Sequence, residues 1–98
     1  MTRIHVEFQE GWTGDRVEVR IQRALRYAGQ PITRLQTGYA GGLTVDVEGG
    51  VIALDVRVPS RSAGASRTVR VTGEHWIGVS LLDTKVTIVD QPAPFGYL

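Results

Sequence analysis

The chain has 98 residues, no cysteine, no asparagine, ten arginines against one lysine, and a formal net charge of +1. That length is one domain, and folding it buries roughly two-thirds of the surface of the unfolded chain, enough for a modest core. Without cysteine there are no disulfides, thiol nucleophiles or thiolate metal sites, and without asparagine there is no N-glycosylation acceptor.

From the N-terminus, Ile4, Val6 and Phe8 alternate with His5 and Glu7. The stretch has the pattern of a strand with one wet face and lacks the unbroken apolar run of a signal peptide. No window reaches the ~18 apolar residues of a membrane span. A soluble, cytoplasmic protein without a membrane partner is the expectation.

Glu10-Gly11-Trp12-Thr13-Gly14-Asp15 follows as a loop. Residues 15–29 support two readings. As strands, a tight loop at Gln22-Arg23-Ala24 pairs Ile21 with Leu25 and Val19 with Tyr27. As a helix, Val17, Ile21, Ala24, Leu25 and Ala28 form a stripe that Asp15 starts and Gly29 with Pro31 ends. The β-branched Val-x-Val-x-Ile pattern favours strands, and Val19 would fall off the helical stripe. The helix would make the fold α+β.

After Gly38-Tyr39-Ala40-Gly41-Gly42, alternation resumes at Leu43, Val45 and Val47, then at Ile52, Leu54, Val56 and Val58. A two-residue turn at Gly49-Gly50 would set Val47 opposite Ile52, Val45 opposite Leu54 and Leu43 opposite Val56, core residue against core residue, so a hairpin is predicted. Residues 59–66, Pro-Ser-Arg-Ser-Ala-Gly-Ala-Ser, read as a mobile loop leading to a strand at Val69 and Val71. A second hairpin about Asp83-Thr84 sets Leu81 opposite Val86 and Val79 opposite Ile88.

Seven or eight short strands with frequent turns predict an all-β, single antiparallel β-sandwich of immunoglobulin-like or jelly-roll type over residues 1–91. Residues 92–98 form a tail in which Pro92 and Pro94 stop the last strand. Phe95, Tyr97 and Leu98 then need an apolar cover, from this domain or a neighbour.

Chemistry is sparse. Without cysteine the nucleophile candidates are Ser60, Ser62, Ser66, Ser80, the threonines and Lys85, and the neutral-pH bases are His5 and His75. No Gly-x-Ser-x-Gly elbow occurs, and both histidines read as solvated surface groups. His5, His75 and Glu74 would gather a metal only if their strands were adjacent. Asp46, Glu48 and Asp55 on one hairpin face could approach a calcium site, although such sites draw six to eight oxygens from loops. Neither spacing argues for a cofactor or metal, and none is expected; a metal- or His-dependent enzyme ranks last.

Charge is segmented. Residues 15–34 carry a net +3, residues 56–73 carry +4 and the remainder −6. If the two basic segments share a sheet face, oppositely charged surfaces could mate. A phosphate-binding domain would be far more basic, so nucleic acid is an unlikely partner. The expectation is a non-enzymatic association protein that binds itself or a larger protein. Phe95, Tyr97 and Leu98 would be its anchors, and Arg57, Arg67 and Arg70 its electrostatic surface. The alternative is a carbohydrate-binding module stacking sugars on Trp12, Tyr39 and Trp76.

Overall fold

A computed structural model describes residues 1–97; Leu98, one of the three tail anchors, lies outside them. Eight strands alternate in the order expected of the apolar pattern: β1 (Thr2–Phe8), β2 (Val17–Ile21), β3 (Ala24–Gly29), β4 (Gly41–Val47), β5 (Gly50–Val58), β6 (Ala63–Val71), β7 (His75–Leu82) and β8 (Lys85–Gln91). They form two four-stranded sheets, β4-β1-β7-β8 (sheet 1) and β3-β2-β5-β6 (sheet 2). Pairing is antiparallel except between β1 and β7, which run parallel. This is the predicted β-sandwich, and among the described residues the helical element is a single 3-10 turn at Pro59–Arg61.

The core lies between the sheets. Ile4, Val6 and Phe8 of β1 meet Val17, Val19 and Ile21 of β2, Ile52, Leu54 and Val56 of β5, and Ile77, Val79 and Leu81 of β7, all 2% exposed or less. Each such side chain contributes about 1.5–3 kcal/mol by leaving water, so period-two alternation suffices to hold two sheets face to face.

Residues 15–29 are two strands, as the β-branched pattern favours. Val19 sits opposite Tyr27 as predicted, but a bulge between Val19 and Arg20 moves the next pairs to Arg20 with Leu25 and Ile21 with Ala24. The turn is Gln22-Arg23, both at positive φ (53° and 69°). The Gln22 carboxamide secures it from β5, accepting from Ala53 N at 2.7 Å.

The hairpin about Asp83-Thr84 is present, with Leu81 opposite Val86 and Val79 opposite Ile88. The hairpin about Gly49-Gly50 is not. β4 pairs with β1, Val47 lying opposite Thr2, while β5 pairs with β2 and β6. The two glycines, Gly50 at φ +107°, turn a corner from sheet 1 to sheet 2. Apolar rows at both 43–47 and 52–58 face the core equally well side by side or across it, so matching alternation does not make the two strands neighbours.

Residues 59–66 also differ from the mobile loop expected of them. The turn ends at Ser62 (φ +49°), and β6 starts at Ala63, paired with Val58. Ala63, Ala65, Arg67, Val69 and Val71 continue the inward phase. The first three are small or long-stemmed and the two valines are buried in the core, β6 being an edge strand of sheet 2.

Candidate association surfaces

The outward residues of sheet 2 alternate with its core residues. β2 presents Glu18 and Arg20, β5 presents Val51, Ala53, Asp55 and Arg57, and β6 presents Gly64, Ser66, Thr68 and Arg70. Since β2 neighbours β5 and β5 neighbours β6, both basic segments fall on one sheet. Arg16 and Arg20 hold Glu18 at 3.3 and 3.2 Å. Those two guanidinium groups draw the Glu18 carboxyl below its ordinary range, Arg20 more than Arg16. Arg57 and the Ser66 hydroxyl hold Asp55 at 3.1 and 2.6 Å. The acids of this face are thus occupied, whereas Arg23 and Arg70 make no ion pair among the described residues. A depression of about 400 Å³ lies over Ala53, Ser66 and Thr68, with Arg20, Arg23 and Arg57 along it. Small side chains make its floor and guanidinium groups its rim.

Arg67 does not belong to this face. It lies opposite Leu54 on the inward phase of β6, and its long stem carries the guanidinium across to sheet 1. There it meets Asp90 Oδ1 at 2.8 Å and donates to Ile88 O at 2.5 Å. Asp90 Oδ2 accepts from His75 Nε2 at 2.7 Å. The three groups close the sandwich along β6 and β8, so the expected arginine trio divides into Arg57 and Arg70 on the surface and Arg67 in a bridge.

On the outer face of sheet 1, β1 presents Arg3, His5 and Glu7, β4 presents Thr44 and Asp46, and β7 presents Trp76, Gly78 and Ser80. Arg3 pairs with Asp46 at 3.2 Å. His5 stacks on Trp76 (centroids 4.9 Å apart, planes 13° from parallel), donates from Nε2 to Glu74 Oε2 at 2.5 Å, and meets the Thr44 hydroxyl through Nδ1 at 3.1 Å. Neither histidine is the free surface group the sequence suggested. His75 points inward on the opposite side of β7 from Trp76 and is 9% exposed, so it does not join His5 and Glu74 around a metal. Asp46 and Asp55 stand on different sheets, which removes the acidic row a hairpin would have made. Among the described residues, no three metal-ligating side chains converge.

The aromatic trio is dispersed too. Trp12 is 1% exposed, its indole edge-on to Phe8 and its Nε1 donating to Val79 O at 3.0 Å; it caps the core and has no face for a sugar. Trp76 lies against His5, and Tyr39 against Tyr97 at 4.9 Å.

The tail crosses sheet 1. Gln91 Nε2 donates to Ala93 O (2.7 Å) and Pro94 O (3.0 Å), bending the chain back from β8. Phe95 is half-buried. The Tyr97 hydroxyl donates to Glu7 Oε1 at 2.6 Å and accepts from Gln9 Nε2 at 3.0 Å. Burial and the Glu7 carboxylate push the Tyr97 hydroxyl well above the ordinary phenol range, and burial does the same less strongly for Tyr39. Composition had flagged the tail's hydrophobicity, but no local signal pointed to Glu7 and Gln9, some 90 residues away, as its partners.

Among the described residues no helix is long and apolar enough to cross a membrane. Compared with protein-family models, curated proteins and solved structures, the chain matches none.

Proposed function

We propose that this protein acts by association, the basic outer face of sheet 2 of one copy docking on the acidic side of another. The observation that carries this reading is the gathering of Arg20, Arg57 and Arg70 on one sheet, with Arg16 beside it on Glu18, Arg23 at its end and only Glu18 and Asp55 among them. Glu7, Asp46 and Glu74 line the opposite face against Arg3, with Lys85 at its far corner. A net charge of +1 means that two copies meet without overall repulsion while their unlike faces attract.

Shape supports the same reading. The Cα outline measures 33 × 30 × 17 Å, a flat body whose broad faces each cover on the order of 1,000 Å², comparable with the ~800 Å² per partner of a standard interface. Association is favoured over catalysis because His75 is taken up by the Asp90 bridge. Thr44, His5 and Glu74 do form a hydroxyl, imidazole and carboxylate row, the sequence of groups in acyl-transfer triads. Thr44 is exposed on a sheet face, however, and borders none of the larger depressions.

Sedimentation velocity at low and high ionic strength tests the proposal. Association at low salt that weakens as salt rises is expected, together with its loss in the Arg57→Glu, Arg70→Glu double variant. A strict monomer at low salt, or an oligomer indifferent to both salt and charge reversal, would refute it. Hydrolysis of an activated ester that disappears in His5→Ala would instead promote the enzyme.

A further inference from the structure

Sheet 1 offers a second site, which rests on the same reading that copies of this chain associate but uses different chemistry. Glu7 and Gln9 stand at the C-terminal end of β1, an inner strand of the sheet. Beneath them is Gly78, on the outward phase of β7 yet buried; a Cβ there would approach the Gln9 carboxamide to 2.5 Å. Tyr39 forms one wall. The missing side chain at Gly78 lets the Gln9 carboxamide lie on β7; a carboxylate that accepts, a carboxamide that donates and an aromatic wall are complementary to a phenol carried on an extended segment.

Tyr97 occupies this slot, and all its polar contacts are to residues some 90 positions distant in sequence. None of them depends on which copy supplies the tyrosine. The tether is slight. Pro92, Ala93 and Pro94 are exposed, and the bend rests on the two hydrogen bonds from the Gln91 side chain. Proline fixes φ and lacks an N–H, so a Pro-Ala-Pro hinge freed from Gln91 favours the extended form.

We propose that the slot formed by Glu7, Gln9 and Tyr39 is a recognition site for a tyrosine-bearing tail, filled by the chain's own Tyr97 in the monomer and by Tyr97 of a second copy when two chains exchange tails. Such an exchange is reciprocal and closes at a dimer, whereas stacking of unlike faces is open-ended.

The test mixes a slot variant that keeps its tail (Glu7→Ala, Gln9→Ala) with a tail variant that keeps its slot (Tyr97→Ala), each first shown by its thermal transition to be folded. It is run at about 0.5 M salt, where the Debye length is only ~4 Å and face stacking is screened. A 1:1 heterodimer at least about tenfold tighter than either homodimer is expected, the factor that one to two lost hydrogen bonds represent. Monomers throughout the mixture up to about 1 mM, or homodimers of Tyr97→Ala as tight as the mixture, would overturn the proposal. In the otherwise unaltered chain, Gln91→Ala releases the hinge and raises the dimer fraction several-fold at the same salt; an unchanged fraction also overturns it. Face stacking is lost on charge reversal at low salt, so the two readings fail separately.

Discussion

Trp12 sits in a short polar loop between glycines, where a reader of the chain sees either a ligand platform or a plug. Its environment makes it the plug. Gly11 adopts φ +83° and backs onto the Leu81 carbonyl, where an added Cβ would overlap the oxygen, and this close approach directs the Trp12 indole under Phe8 to reach Val79 O. Trp12→Ala should therefore lower unfolding free energy by about 3–5 kcal/mol in a urea titration, the usual cost of emptying a large aromatic site. Gly11→Ala should cost about 3 kcal/mol or more, although it adds one methyl, because it combines a strained φ with a backbone overlap. Two ionisable residues illustrate opposite dependences of stability on pH. Asp15 accepts from Ser60 (3.0 Å) and is ion-paired to Arg61 (2.9 Å), contacts that hold its carboxyl below the ordinary 3.8, the Ser60 bond foremost. A depressed carboxyl stabilises the fold above its unfolded value, and that stability is lost as pH falls through the folded value; thermal melts should show the loss below about pH 4, less steeply in Asp15→Asn. Tyr97 has the opposite sign. Its raised phenol stabilises the tail below the ordinary value of 10.0, and this contribution declines above it. Tyr97→Phe should flatten the fall of the melting temperature above about pH 10.

At the level of strands, the least regular pieces are the most informative. β6 looks like a loop because Gly64, Ala65, Ser66 and Thr68 lack the bulk of strand formers, yet its inward phase runs from Ala63 to Val71 with Arg67 the one exposed member. Period-two spacing was the legible signal there, and composition obscured it. At this edge Arg67 replaces an apolar residue, spanning the gap to Asp90, which also holds the buried His75. Asp90→Ala leaves the Arg67 guanidinium and the buried His75 imidazole without their shared acceptor and should destabilise by about 1–3 kcal/mol in chemical denaturation, whereas Arg67→Met, which keeps the stem, should cost less. The β2–β3 turn carries avoidable strain. Arg23 holds φ +69° without being glycine or asparagine, so Arg23→Gly should raise stability by roughly 0.5–1 kcal/mol, read as a higher melting temperature. The turn at Asp83-Thr84 keeps the register that its alternation predicts, whereas in the β2–β3 hairpin only the Val19–Tyr27 pair does, because the bulge before Arg20 shifts the pairs nearest the turn.

For the molecule as a whole, charge becomes meaningful only once the sheets are assembled. The net charge is +1, but its parts sort by face, and whether they do so depends on sheet order. Had β4 and β5 formed the expected hairpin, Asp46 and Asp55 would lie side by side on one surface and the basic stretch would be interrupted. With the corner at Gly49-Gly50, Asp46 passes to sheet 1, while β2, β5 and β6 present Arg20, Arg57 and Arg70 together. The salt-dependent sedimentation expected of this arrangement, and its loss on charge reversal at Arg57 and Arg70, therefore test a property of the assembled sandwich.

The sequence by itself determined that the chain is all-β, which residues enter the core, and where two of the turns fall. These are local matters, set by period-two alternation and short connections. It could not determine which strands are neighbours, because an apolar row satisfies the core equally from the same sheet or from the opposite one. The tertiary structure alone decided that. Strand order placed the arginines of two distant segments on one face, carried Arg67 across to Asp90, and brought Tyr97 to Glu7 and Gln9. Each is a contact between side chains remote in the chain, and the pairing of the strands beneath them creates it.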